Sequence, residues 1–362
     1  MDRRTFLEAG LGVATATSLA GCAGQVNSRS PRAPAIVENR PNGIYLPGHV
    51  EGMQMVGTTE QGDYGFGLMY SYAHRFWNVN GETTSLTEIG PDDDIHLMAS
   101  VWDSETQTIL PETGLSVEIY RDSELISQEA IYPMLSQPMG FHYGANFGLD
   151  GDGTYDVRLS VGGLSTRRTD LFQDRFEQPV TARIPFEYSE SKRDNISFRR
   201  LEDAGSSGAV DPMAMEMLPS SIAPRADVLP GRVVGTGSTD GAVFVTTVLD
   251  SPPAGVVGQG QYLAVSARSQ YNRMVLPAMS LSAAQTRDGE ILSNQRLTRT
   301  LDPSLGYHYG AVVDAVQSGD KLTLSPTLQP QTARHEGYET AFGGETGAME
   351  DINFTVNDQQ SA

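Results

Sequence analysis

The chain has 362 residues, of which 39% are hydrophobic, and its formal net charge is −20. This length and composition allow two packed domains, and the lack of a basic stripe in the sequence excludes nucleic acid as a partner. Apart from Lys192 and Lys321, the basic residues are arginines. An acidic, lysine-poor chain stays hydrated and soluble, and this composition predicts a halophilic protein, such as a haloarchaeal one.

The first 21 residues are predicted to be a signal peptide. Arg3 and Arg4 form a twin-arginine n-region, and an apolar stretch then leads to a lipobox-like Leu-Ala-Gly before Cys22. Cys22 is the only cysteine and cannot form an intrachain disulfide, so lipid attachment is its expected role, with an incidental cysteine as the alternative. The apolar run is too short to span a membrane. We therefore expect an exported protein, held by its lipid at the outer face of the cytoplasmic membrane.

Residues 22–45 are predicted to be a flexible tether, because they are polar and lack periodicity. The chain beyond the tether repeats itself at a constant offset of 166 residues. At this offset "IHLMASVW" aligns with "QYLAVSAR", "RDSELIS" with "RDGEILS", and "GFHYGA" with "GYHYGA". A match over so many positions without a gap indicates an internal duplication. The predicted copies are residues 46–190 and 229–357, joined by a linker over 191–228.

Each copy is predicted to be an immunoglobulin-like β-sandwich, so the fold class is all-β with two tandem domains. Runs such as "TYDVRLSV" and "QYLAVSAR" alternate with period 2 and are separated by turn signals. The turn "DGDG" at 150–153 resembles half of a calcium loop, but it lacks the later ligands, so a hairpin turn is favoured. We expect the two copies to pack against each other as an intrachain pseudo-dimer.

The sequence contains no catalytic signature, so the chain is predicted not to be an enzyme. Metal binding remains as the chemistry of its histidines and methionines. His96 and Met98 alternate on one strand and share a face, and Met134 and Met139 precede His142. Imidazole and thioether donors together suit copper better than Mg²⁺ or Ca²⁺. The linker also contains a strip of alternating methionines, for which packing is favoured over soft-metal binding; these are Met213, Met215 and Met217.

The segments "PDDDIHLMASV" and "YPMLSQPMGFHYGANFGLDGDGTYDV" resemble the family of periplasmic iron(II)-transport proteins. These are immunoglobulin-like proteins with a copper-type site that act in high-affinity iron uptake. The resemblance covers residues 46–190 well and the second copy more faintly. It implies copper as the bound metal, with iron as the alternative, and a membrane iron permease as partner.

Carried over residue by residue, the resemblance implies His96, Met134 and His142 as ligands, with Met139 as the alternative methionine. The glutamate of the family pattern, two residues after the first histidine, is Met98 here, which makes the site softer. The last histidine of the pattern is missing from the first copy, where the chain reads "STRRTDLF" from Ser165. The first copy by itself is therefore one ligand short.

The second copy retains what the first has lost. Its equivalents of His96 and Met134 are Tyr262 and Thr300, but "TARHEGYETAF" contains His335 where the family pattern has its last histidine. We therefore predict one composite site from His96, Met134, His142 and His335, with Met98 and His335 as its least secure members. The alternative is that His335 is a surface residue after a turn.

The remaining histidines receive weaker assignments. His308 is predicted to be a relic or a hydrogen-bonding residue, and His74 a structural residue on a strand over 70–77, although it could also approach the metal. His49 could capture metal at the surface. The predicted function is that of a lipid-anchored, cell-surface protein that binds copper or iron and presents it for iron uptake. The alternative is a structural or interaction module whose metal site has decayed.

Overall fold

The computed structural model describes residues 35–357, so the predicted signal peptide and Cys22 lie outside the described part of the chain. Strands and turns dominate this part, as expected from the period-2 patterns, and the all-β sandwich prediction is confirmed. Besides one short α-helix, α1 (Glu190–Asp194), it contains short 3₁₀ turns at Asp170–Phe172 and Ala226–Val228. No helix among residues 35–357 has the length and apolar character needed to cross a membrane.

The strands fall into two halves that repeat the same order. Those of the first half and the following linker are β1 (His49–Glu51), β2 (Gln54–Gln61), β3 (Tyr64–Tyr72), β4 (Phe76–Asn80), β5 (Thr83–Thr87), β6 (Ile95–Asp103), β7 (Ser116–Arg121), β8 (Glu124–Ala130), β9 (Tyr132–Ser136), β10 (Gly140–Phe147), β11 (Gly153–Val161), β12 (Arg167–Arg168), β13 (Val180–Tyr188) and β14 (Phe198–Arg200). Those of the second half are β15 (Arg232–Thr239), β16 (Ala242–Leu249), β17 (Gln261–Ser269), β18 (Ser280–Arg287), β19 (Glu290–Arg296), β20 (Thr298–Asp302), β21 (Gly306–Val313), β22 (Lys321–Leu328), β23 (Ala333–Arg334) and β24 (Ile352–Thr355).

Each half pairs a large sheet with a four-stranded one. The four-stranded sheets have the orders β13-β11-β7-β8 and β24-β22-β18-β19, which are equivalent under the duplication. Their strands alternate buried and exposed residues, as in β13, because one face meets the core and the other meets solvent. The strands β3 and β6 of the first large sheet are buried throughout, since both faces of that sheet are covered.

The two halves exchange one short strand each. The large sheets have the orders β2-β3-β6-β10-β9-β23 and β15-β16-β17-β21-β20-β12, and the first continues into β4 and β5. Thus β23 of the second half pairs in parallel with β9, and β12 of the first half pairs in parallel with β20. One continuous hydrophobic core contains residues of both halves. The exchange places the segment that begins at Ala333 between β9 and β4, inside the first half's sheet.

The stretch 70–77 differs from its predicted form. We expected a single strand there, but β3 ends at Tyr72 and β4 begins at Phe76, and the two belong to distant positions of the same sheet. The chain has to leave one position and enter another, so His74 lies in the connection rather than on a strand. The predicted turn at 150–153 does separate two strands, β10 and β11.

Candidate metal centre

Three adjacent strands of the first large sheet carry the first three predicted ligands. His142 on β10 lies directly opposite Met134 on β9, and Asn146 on β10 lies directly opposite His96 on β6. His96 and His142 are 0% and 1% exposed, and Met134 is 0% exposed. The period of two along β10 places His142, Gly144 and Asn146 on the same face of the sheet.

His335 reaches this face from the second half of the chain. In β23, Ala333 lies opposite Met134 in parallel register, and the backbone N–H of His335 donates to the carbonyl of Leu135 at 3.0 Å. The strand exchange therefore brings His335 to this face, where its Nε2 atom is buried although the residue as a whole is only partly buried.

The three histidines form one compact cluster. One ring nitrogen from each of His96, His142 and His335 lies within 4.8 Å of the others. The ring of His335 is 5.3 Å from that of His96 and 5.4 Å from that of His142, centroid to centroid. Such spacing allows a single ion to contact all three rings.

Hydrogen bonds determine which nitrogen of each ring is free. Nδ1 of His96 lies 2.8 Å from Oδ1 of Asn146, and Nδ1 of His142 lies 3.0 Å from the carbonyl of Gly140. Both partners are acceptors, so each Nδ1 carries the hydrogen and each Nε2 keeps its lone pair. The Nε2 atoms of His96, His142 and His335 are buried and have no hydrogen-bond partner within the described residues. Buried polar atoms are rarely left in this state without a ligand.

Burial keeps these histidines neutral. It lowers the pKa of His96 to about 3, against the opposing effect of the hydrogen bond that His96 donates to Asn146, and it lowers the pKa of His142 to about 4. Burial, together with the neighbouring histidines, holds the pKa of His335 and of His74 well below the usual value. Neutral imidazole is the form that coordinates a metal, so the cluster is ready to bind at neutral pH.

A glycine makes room for the fourth donor. A Cβ atom at Gly144 would lie 2.7 Å from Nε2 of His96 and 3.0 Å from the sulfur of Met134. The bare backbone at Gly144 thus leaves space between imidazole and thioether, at the position where an ion would touch both. Met139, the alternative methionine, belongs instead to a separate cluster with Met98 and Trp102.

His74 lies closer to the three-histidine cluster than we expected of a structural residue. Its ring is 4.7 Å from that of His96 and 5.2 Å from that of His335, centroid to centroid. Its Nδ1 lies 3.7 Å from Oε2 of Glu51, and Oε1 of the same carboxylate lies 2.8 Å from Nε2 of His49. Sequence reasoning did not single out Glu51 or Asn146. A comparison of the two copies could have pointed to Asn146, because the second copy has Val312 at the position of this asparagine.

Of the other candidates, Met98 is 4% exposed and lies with Met139 beside a cavity described below. The linker methionines do not form one strip: Met215 packs on the cluster of Met98, whereas Met217 is 56% exposed. Arg3, Arg4 and Cys22 lie outside the described residues.

The equivalent position in the second half holds an arginine side chain. The guanidinium of Arg167, on the exchanged strand β12, donates to the hydroxyl groups of Thr300 and Tyr262 at 2.9 and 2.8 Å and to the carbonyl of Gly310 at 2.9 Å. These three residues are the equivalents of Met134, His96 and Gly144. His308, the equivalent of His142, bonds Tyr262 through Nε2 at 2.9 Å. In this half, the guanidinium group of Arg167 therefore occupies the space that corresponds to the candidate metal centre of the first half.

The chain shows limited similarity to known proteins. The family model "Domain of unknown function (DUF7350)" matches residues 227–355. No curated protein sequence is significantly similar to the chain. Two similar solved structures are a copper-bound variant of FetP from uropathogenic Escherichia coli strain F11 and the copper-reconstituted P19 protein from Campylobacter jejuni. FetP is 17% identical with a TM-score of 0.28, and the match covers 38% of this chain and 97% of FetP. P19 is 19% identical with a TM-score of 0.31, and the match covers 38% of this chain and 96% of P19.

Proposed function

We propose that the protein binds one copper ion per chain, as Cu(I), through His96, His142, His335 and Met134. The observation that carries this proposal is the convergence of three buried Nε2 atoms without partners, next to the sulfur of Met134. Structural burial of a histidine normally satisfies both ring nitrogens. Here each Nδ1 of His96 and His142 has its acceptor, and the other nitrogen is left for a ligand.

The donor set favours the monovalent ion. Three neutral imidazoles and one thioether bring no negative charge, so a buried Cu(II) would keep its full charge at a high desolvation cost, whereas Cu(I) carries half of it. A thioether is also a soft ligand that favours Cu(I). The hydrogen bonds that Nδ1–H donates in His96 and His142 orient these rings and raise their basicity as ligands.

The cellular role that we propose for copper binding is based on the sequence. A twin-arginine signal ahead of Cys22 would export the folded chain and anchor it by a lipid at the outer face of the cytoplasmic membrane. There the protein would hold copper, and through it take part in metal delivery to a membrane iron permease, without being an enzyme. This wider role rests on the sequence resemblance and is separable from copper binding.

Metal analysis of the full chain tests copper binding. Protein purified without a histidine tag and incubated with Cu(I) should carry one tightly held ion per chain, as measured by mass spectrometry of the metal. His142→Ala and His335→Ala should each lose it. His308→Ala is the matched control, because His308 is the equivalent of His142 in the second half, and it should retain the ion.

Two outcomes would contradict the proposal. Unchanged affinity in His335→Ala would show that the site does not use the second half of the chain. Absence of bound copper at micromolar exposure, in a protein with normal circular dichroism, would favour the alternative of a structural or interaction module with a decayed site.

A further inference from the structure

A cavity of about 110 Å³ adjoins the metal centre. His335 and His74 line it, next to the His96 ring. His49 lines it too, and the side chains of His49 and His74 are each 17% exposed. The cavity therefore borders the three-histidine cluster and has partly exposed histidines in its lining.

Three methionines line this cavity: Met53, Met98 and Met139. They belong to a cluster that also includes Met69, Met55 and Met215. Methionine often fills gaps in cores, and the fully buried Met69, which packs there without lining the cavity, fits that role. Met53, Met98 and Met139 differ, because they line a space whose lining also includes polar and charged groups.

The lining of the cavity also includes charged groups. Its carboxylates are Glu51 and Glu336, and its guanidinium is Arg75. The side chain of Glu51 is 7% exposed, and its ion-pair partners among the described residues are the imidazoles of His49 and His74. The two carboxylates and the guanidinium together have a formal charge of −1, which complements a monovalent cation.

We propose that this cavity is a second copper site, which binds Cu(I) through the thioethers of Met53, Met98 and Met139. Thioethers select Cu(I) over hard cations, and the carboxylates of the lining offset the charge of the ion. From there Cu(I) passes to the three-histidine cluster through His335, which borders both spaces. This inference rests on the proposed copper function and adds an acquisition site to it.

The test compares Cu(I) stoichiometry in the full chain, measured by competition with a chromophoric Cu(I) chelator under anaerobic conditions. Wild-type protein should take up two ions, one tightly and one more weakly. The triple variant Met53→Leu, Met98→Leu, Met139→Leu should take up only the tight ion, because leucine conserves volume but removes the sulfur. It should also load that ion more slowly, by about tenfold or more if the ion passes through the cavity.

Two further variants separate the sites. Met69→Leu is the matched control, since it removes a sulfur from the same cluster but not from the cavity wall, and it should still bind two ions. His142→Ala should keep the weaker ion and lose the tight one. A wild-type protein that binds only the tight Cu(I) ion, or a triple variant that still binds two, overturns the cavity site. A wild-type protein that binds only the weaker ion would instead contradict the proposed function.

Discussion

Arg167 donates a hydrogen bond to the hydroxyl of Tyr262 at 2.8 Å, at the place where the equivalent residue of the other half is the histidine His96. Tyr262 and Arg167 belong to different halves, as His96 and His335 do. Both exchanged strands therefore bring a side chain into the sheet of the opposite half. One junction brings free imidazole nitrogens together, whereas at the other a guanidinium forms hydrogen bonds between the two halves.

Arg167→Met should destabilise the protein without changing its copper content. The change leaves the hydroxyl of Tyr262 and the carbonyl of Gly310 with fewer partners in a buried setting, which should cost about 2 kcal/mol of unfolding free energy. Urea denaturation measures this difference. Arg183→Met serves as control, because the Arg183 side chain is 63% exposed and pairs with Asp156 at the surface, and its cost should stay below about 0.5 kcal/mol. Equal losses of unfolding free energy in the two variants would show that the hydrogen bonds of Arg167 between the two halves do not stabilise the protein.

Gly144→Ala should abolish tight copper binding while the fold persists. The added methyl group would lie 2.7 Å from Nε2 of His96 and 3.0 Å from the sulfur of Met134, so one donor must move away. The backbone at Gly144 does not have a positive φ, so the substitution brings no backbone strain. Gly162→Ala, with no atom closer than 4.0 Å to the new methyl group, is the control. Copper competition titrations should separate the two variants, and equal affinities would show that the space at Gly144 is not used.

Asn146→Leu should weaken copper binding through His96. Oδ1 of Asn146 accepts from Nδ1 of His96, and its loss frees the ring to rotate or to change tautomer. Loss of such a partner typically lowers metal affinity by about 10–100-fold. Asn146→Asp keeps an acceptor at this position and should retain more of the affinity than Asn146→Leu. NMR of the ring nitrogens gives the second measurement: the Nδ1–H tautomer of His96 should persist in Asn146→Asp and be lost in Asn146→Leu.

Copper affinity should be nearly independent of pH between about pH 8 and pH 5. Protons compete for Nε2 only when the pH falls below the pKa in the folded protein, which burial lowers to about 3 for His96 and about 4 for His142. An ordinary histidine, with a pKa of about 6.5, would begin to release the metal already below pH 6.5. Titrations at half-unit steps with a chelator of known protonation constants measure this. A tenfold loss of affinity between pH 6.5 and pH 5.5 would contradict neutral, buried ligands.

Much of this architecture was accessible from the sequence. Alternation of apolar residues with period 2 and the 166-residue repeat are local properties, and they predicted an all-β protein with two related halves. The ligand losses of the two copies are complementary: the second copy has Tyr262 in place of His96, and the first copy lacks an equivalent of His335. This pattern predicted which residues should share a site. The structure brings His96, Met134, His142 and His335 together.

Other features depend on contacts between residues far apart in the chain. His74 was expected on a strand, but it lies in a connection against two of the clustered rings, since β3 and β4 occupy separate positions of the sheet. Glu51 lies in no recognisable sequence motif, and only the structure shows that it contacts the imidazoles of His49 and His74. The same holds for Met98, whose position beside a cavity depends on the packing of the linker and the first strands.

The sequence by itself determined the fold class, the duplication and the types of candidate metal-ligand side chain, because periodicity, repetition and side-chain chemistry are properties of the linear sequence. Only the tertiary structure decided that one junction brings free imidazole nitrogens together and that an arginine side chain fills the other. This difference depends on the exchanged strands β12 and β23, which bring Arg167 and His335 to the opposite sheets. It also depends on the hydrogen bonds that occupy Nδ1 of His96 and His142 and leave their Nε2 atoms free. Neither the exchange nor the ring orientation is a property of any local segment.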